Sequence, residues 1–239
     1  MRIVSLIAVA AALATAACGQ IRAEDGGPTV QRQYQVGGFN SIEVAGPYEV
    51  VVTTGGAPSV TASGPEKLIE RLVVEVKGDR LLIHPRKETG FKWSSSRGTA
   101  QITVTAQMLR AASIAGSGGI TVDKVSGDSF DGSIAGSGDL RVDSLDVQSL
   151  KLAIGGSGDV TARSGRTRNA EYSIAGSGGI DAEGVQSDAA SVSIAGSGSV
   201  HGQATGTAKV SIMGSGDVEM TGGAKCTVSK MGSGEVRCS

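Results

Sequence analysis

The chain has 239 residues and a formal net charge of −1, with 39% hydrophobic and 19% charged residues. That is enough apolar material for a core and too little charge for a disordered polyelectrolyte, and the lack of a basic excess argues against a nucleic-acid partner. Thirty-seven glycines against seven aromatics do not suit a ring-filled enzyme core, and five prolines without a Gly-X-Y period exclude collagen, which leaves a repetitive, thin-cored β protein.

Residues 1–17 read as an address. Met1 and Arg2 precede an apolar run from Ile3 to Ala14 and small residues up to Cys18, the layout of a secretory signal peptide. The run is too short and too Ala-rich for a membrane span. Two cleavage sites compete. Ala14-Thr15-Ala16 suits ordinary signal peptidase, whereas Leu13 to Gly19 is similar to a bacterial lipoprotein signal, with Thr15 where such signals usually carry Leu. In the second case Cys18 is lipidated, becomes the first residue, and ties the protein to a membrane through residues 18–36 as a flexible tether. Either cut predicts an exported protein, at the cell surface or outer membrane or else in the periplasm.

From residue 37 to 110 the spacing predicts irregular β-coils. Ser41–Val44, Tyr48–Thr54, Ser59–Ala62, Leu72–Val76, Arg80–His84 and Gln101–Thr105 are rich in Val, Ile and Thr, with turns at Gly55-Gly56 and Lys77-Gly78-Asp79. One short helix is predicted over Pro65–Leu72, started by a Ser63/Glu66 capping box and placed to cover an end of the fold. Phe91-Lys92-Trp93-Ser94-Ser95-Ser96-Arg97 is the single aromatic-basic segment. Phe91, Lys92, Trp93 and Arg97 are the candidate ligand contacts, by stacking and hydrogen bonding. Such loops more often pack their rings on their own domain.

Residues 111–239 carry a ruler. Gly-Ser-Gly recurs with its serine at Ser117, Ser137, Ser157, Ser177, Ser197, Ser215 and Ser233, in steps of 20, 20, 20, 20, 18 and 18. Three residues before these serines stand Ile114, Ile134, Ile154, Ile174, Ile194 and Ile212, then Lys230 breaks the series. Three after them stand Ile120, Leu140, Val160, Ile180, Val200, Val218 and Val236. Polar residues fill the alternate positions, so each period predicts strands with one buried face. Like residues one period apart stack if each period is one turn of a parallel β-solenoid, whose coils are stable only together. The glycines then serve bends and close approaches. The serines point outward if the strand runs straight through the triplet, and can point inward if it bends. Cys226 and Cys238 share the inward parity; in an oxidising compartment they can bond and lock the last coil, the alternative being two buried thiols.

The repeated Gly-Ser-Gly-Asp/Gly-aliphatic unit, with the opening Gly38-Phe39-Asn40-Ser41-Ile42-Glu43-Val44 and Tyr48-Glu49-Val50-Val51-Val52, resembles the GIN-domain family of adhesin heads from bacterial exported proteins. The resemblance covers residues 37 to 239, taken as one domain, and implies a right-handed solenoid and an adhesive role. The sequence ends at Ser239 with no translocator barrel or heptad stalk, so a self-sufficient autotransporter is not expected.

Nothing in the pattern predicts catalysis, a cofactor or a metal. His84 and His201 look isolated. Asp139 and Asp159 lie one coil apart, where a shared proton or cation competes with a solvated surface neutralised by Arg141 and Arg163. The Gly-Ser-Gly-Asp unit differs from the nine-residue calcium solenoid in period, and Gly119, Gly179 and Ser199 replace the Asp. The serines have no base. The expected function is therefore a non-enzymatic envelope module that binds a glycan, matrix or protein through a repetitive face. The alternatives are a polysaccharide-acting enzyme and a periplasmic structural or stress component.

Overall fold

The computed structural model describes residues 27–86 and 99–239. Of these described residues 75% are strand and 3% helix, arranged as a β-solenoid of about six turns with coils of about 20 residues. The strands are β1 (Thr29–Tyr34), β2 (Ser41–Ala45), β3 (Tyr48–Thr54), β4 (Ser59–Pro65), β5 (Leu72–Lys77), β6 (Arg80–Pro85), β7 (Ala100–Ala106), β8 (Ala111–Gly116), β9 (Gly119–Gly136), β10 (Asp139–Gly156), β11 (Asp159–Ala162), β12 (Gly165–Gly176), β13 (Gly179–Gly196), β14 (Ser199–Gly214), β15 (Asp217–Thr221), β16 (Lys225–Met231) and β17 (Val236–Cys238). The helix α1 spans Glu66–Arg71 between β4 and β5.

The predicted register holds. Leu140 pairs with Ile120 on one side and Val160 on the other, and Ile154 with Ile134 and Ile174, so equal apolar residues stack coil on coil and are almost fully buried. Each fully buried aliphatic contributes about 1.5–3 kcal/mol of transfer free energy. In β10 the buried residues are Leu140 and Val142, then Leu145 and Val147, then Leu150, Leu152 and Ile154. The period of two slips once after Val142 and once after Val147. Each slip is a corner, and Gly-Ser-Gly makes the third.

The triplet is a bend whose serine faces outward, and all seven repeat serines are exposed. In the third copy the Ser157 N–H donates to the Gly136 carbonyl at 2.9 Å, which continues the ladder through the corner. Gly156 has φ 136°, and a Cβ there would stand 2.2 Å from the Gly136 carbonyl oxygen. A Cβ on Gly158 would stand 2.2 Å from the Gly138 oxygen and 3.0 Å from Ile134 Cγ2. Both glycines are therefore required by the neighbouring coil, one for conformation and both for space.

The change of step from 20 to 18 is made at two irregularities, the larger at a corner. Between β13 and β14, Ala182 pairs with Gly202 but Gln186 already pairs with Gln203, and a second irregularity lies between Ser187 and Ala189. Residues 183–185 thus have no partner in the next coil, and that corner carries the shortening.

The first half departs from a coil-by-coil solenoid. β2 lies between β6 and β8, and β3 between β7 and β9. The chain lays down β2 and β3, then builds the outermost coil from β6 and β7. It returns past its own start through Leu109, which is buried, to begin β8. On this return the Arg110 N–H donates to Asn40 O, and Arg110 O accepts from the Asp131 N–H. Antiparallel pairs also enter: β4 with β7, β1 with β4, and β5 with β6. A solenoid end would otherwise present open strand edges, and here β4 and β5 cover those of β7 and β6.

The predicted helix exists but not its cap. Pro65, extended at ψ 133°, is the N-cap and makes no side-chain capping bond. Ser63 lies inside β4, and the Glu66 N–H donates instead to the Pro28 carbonyl. Ser63 is held in strand pairing with Gln31 and Gln101, so it is not available as a cap. Ile69 is buried as α1 packs on β4 and β1; the strands rather than the helix cover the end.

At the far end the Cys226–Cys238 disulfide is formed, with Cα atoms 6.6 Å apart. Cys226 continues the buried Ala208 column and Cys238 the buried Met220 column, as the inward parity predicts, yet Cys226 is only half-buried and Cys238 exposed because no further coil lies over them. For the same reason Val228 is 46% exposed although its column is otherwise buried.

Candidate binding face

Which residues face outward follows from the corners. On one side of the triplet run two columns of small uncharged residues: Ser113, Ser133, Ala153, Ser173, Ser193 and Ser211, then Ala115, Ala135, Gly155, Ala175 and Ala195, ending in Met213. The Ser113 and Ser133 hydroxyls are hydrogen-bonded at 2.8 Å. A shallow hollow of about 350 Å³ runs along these columns between Glu43 and Gly155. From Ser113 to Met213 the two columns carry no charge of their own, they repeat at the coil spacing of about 4.8 Å, and they are flanked by an exposed charged column of Asp131, Lys151, Glu171 and Lys209.

Beyond the triplet the outward columns are charged, and part of that charge serves the fold. Asp159 Oδ1 accepts the Gly179 N–H at 2.8 Å, and Asp217 Oδ1 accepts the Glu235 N–H at 2.8 Å. These carboxylates satisfy backbone donors of the next coil beside its bend. Arg163, expected to neutralise this column, pairs instead with Asp143 at 3.3 Å. Arg166 holds Asp146 through two hydrogen bonds, and the guanidinium keeps that carboxyl below the usual carboxylate range.

Neither histidine is isolated. His84 Nε2 is 3.3 Å from Glu75 Oε1, and Glu75 sits below its ordinary value because of Lys77 first and His84 second. His201 Nδ1 lies 3.6 Å from Glu183 and 3.7 Å from Glu219. Glu219 is the next residue in the His201 column. Glu183 arrives because its corner has no counterpart in the following coil. Linear spacing concealed this group, since its members are 18 residues apart. The change of step after Ser197 was the signal that could have found it. Among the described residues, Glu183, His201 and Glu219 are the group that could hold a metal.

Of the residues singled out from sequence, the structure brings Cys226 and Cys238 together and sets the seven serines in a ladder at one corner. Cys18, Phe91, Lys92, Trp93 and Arg97 lie outside the described residues.

A family model described as "Putative auto-transporter adhesin, head GIN domain" matches residues 38–224. No curated protein matches the chain. Among solved structures, a putative adhesin from Bacteroides fragilis is 24% identical with a TM-score of 0.80, covering 89% of this chain and 97% of its own. A putative lipid binding protein from Parabacteroides distasonis is 23% identical with a TM-score of 0.70, covering 90% and 98%. A putative adhesin from Parabacteroides merdae is 20% identical with a TM-score of 0.71, covering 90% and 98%. At these identities the likeness is one of fold.

Proposed function

This chain belongs to the head GIN-domain family, and on that premise we propose that it is a non-enzymatic, exported adhesin-like module that binds an external glycan, matrix or protein surface. The observation that carries this reading is the pair of small-residue columns beside the Gly-Ser-Gly corner. A repeated strip of uncharged small residues offers extended contacts at a fixed spacing and desolvates cheaply. It makes many weak equivalent contacts, which add through multiplicity. The reading places the signal peptide at residues 1–17 and a lipid anchor on Cys18; the tether shortens from the expected 18–36 to residues 18–26, because Thr29–Tyr34 is strand β1, paired with β4 in the solenoid.

The test is attachment. A strain lacking the chain should adhere less to its natural substratum, and purified chain added in excess should compete with the wild-type strain. Unchanged adhesion in the deletion strain, with no competition, rejects the adhesive role.

A further inference from the structure

We propose that Glu183, His201 and Glu219 form a surface site for a divalent transition cation of the zinc class, linking three successive coils. The argument begins with one atom. His201 Nδ1 faces a Glu183 carboxylate oxygen at 3.6 Å and a Glu219 oxygen at 3.7 Å. If the ring's lone pair is on Nδ1 it faces two anions, and a cation held between the three groups would turn that repulsion into coordination. Both distances exceed those of a hydrogen bond, and a proton on Nδ1 would serve neither carboxylate well. They come close to the separation that metal coordination demands. Bonds of about 2.0–2.2 Å at tetrahedral angles set ligand atoms about 3.3–3.6 Å apart, and the three candidate ligand atoms all lie within 4.8 Å of one another.

The surroundings favour a cation. Asp181 aligns with His201 in the preceding coil, and Asp217 lines the adjoining hollow of about 240 Å³. The guanidinium in that hollow, on Arg237, is engaged bidentately by Glu235. One imidazole with two carboxylates is a borderline nitrogen–oxygen set, which suits Zn²⁺ better than Ca²⁺ or Mg²⁺ because the hard ions prefer oxygen alone. The site is open to solvent, and a fourth position would go to water or to a donor from whatever the protein meets.

The backbone supports the placement. His201 and Glu219 are held in register in the parallel ladder of β14 and β15. Glu183 leans in from the corner where the step shortens. Sites carried on strands are held more firmly than sites on loops. This inference stands apart from the adhesive role and does not depend on it.

The experiment is a calorimetric titration of the full purified chain with zinc chloride. One equivalent should bind. His201→Ala should weaken that binding roughly tenfold or more, and so should the isosteric Glu183→Gln and Glu219→Gln, while His84→Ala should leave it unchanged. All three side chains are at the surface, so the variants should keep the wild-type circular dichroism, and the isosteric pair guards against a folding defect in the alanine variant. Absence of zinc binding overturns the proposal. So does undiminished binding in His201→Ala, or displacement of zinc by an equal concentration of Ca²⁺, which would mark a merely acidic surface.

Discussion

Two adjacent glycines show how differently neighbouring positions are used. Gly155 stands in the outward column otherwise filled by Ala135 and Ala175, and a Cβ there would meet nothing nearer than Ile134 O at 3.8 Å. Gly156, the next residue, has φ 136° and a carbonyl oxygen 2.2 Å from its would-be Cβ. Gly155→Ala should therefore be neutral or stabilise by about 0.4–1 kcal/mol through the unfolded chain. Gly156→Ala should cost roughly 3 kcal/mol or more, from backbone strain and from overlap with the preceding coil. Chemical denaturation of the two variants measures this. Similar midpoints would mean that the corner does not pack as described. At this scale the sequence was informative about columns and less so about individual jobs. Ile134, Ile154 and Ile174 could be assigned to the core by spacing alone. The backbone-capping role of Asp159 could not, because it depends on where the Gly179 N–H is left by the bend.

At the scale of elements, the ends of the stack behave differently from its middle. The inner coils are paired on both sides, whereas β16 and β17 each pair on one side, with β14 and β15 respectively. The Cys226–Cys238 bond compensates by closing a short loop, worth on the order of 3 kcal/mol in the chain-entropy model. Because coil stability in a solenoid is a nearest-neighbour property, reduction should act locally. Amide hydrogen exchange should rise over residues 221–239 after the disulfide is reduced, and stay unchanged over 119–196. Uniform loosening of the whole chain, or no change at the end, would contradict this. Lys230 in the isoleucine column also belongs to this end, where a charge discourages another strand from adding to the edge. The regular coils were legible because the ruler repeats. The order β6–β2–β8 was not, since no local pattern tells a strand to lie outside one that precedes it in the chain. The missing cap at Ser63 has the same origin: strand pairing on both sides outcompeted a local capping motif.

For the whole molecule, the fold follows from one requirement. A coil with few aromatics cannot bury its inner face alone, so the chain repeats until the stack supplies the core. The same repetition writes every outward residue several times at a fixed spacing. That creates both the small-residue face and, where the step changes, the Glu183–His201–Glu219 group. Architecture and family were readable from the period. The outward group was not, because it arises from the break in the period rather than from the period itself.

The proposed adhesive role needs the solenoid outside the cell, and the direct measurement is protease digestion of intact cells, with lysed cells and a Cys18→Ser strain alongside. The wild-type chain should be cleaved on intact cells, and the Cys18→Ser chain should leave the membrane fraction. Protection of the wild-type chain until the cells are lysed would contradict that role and place the solenoid in the periplasm.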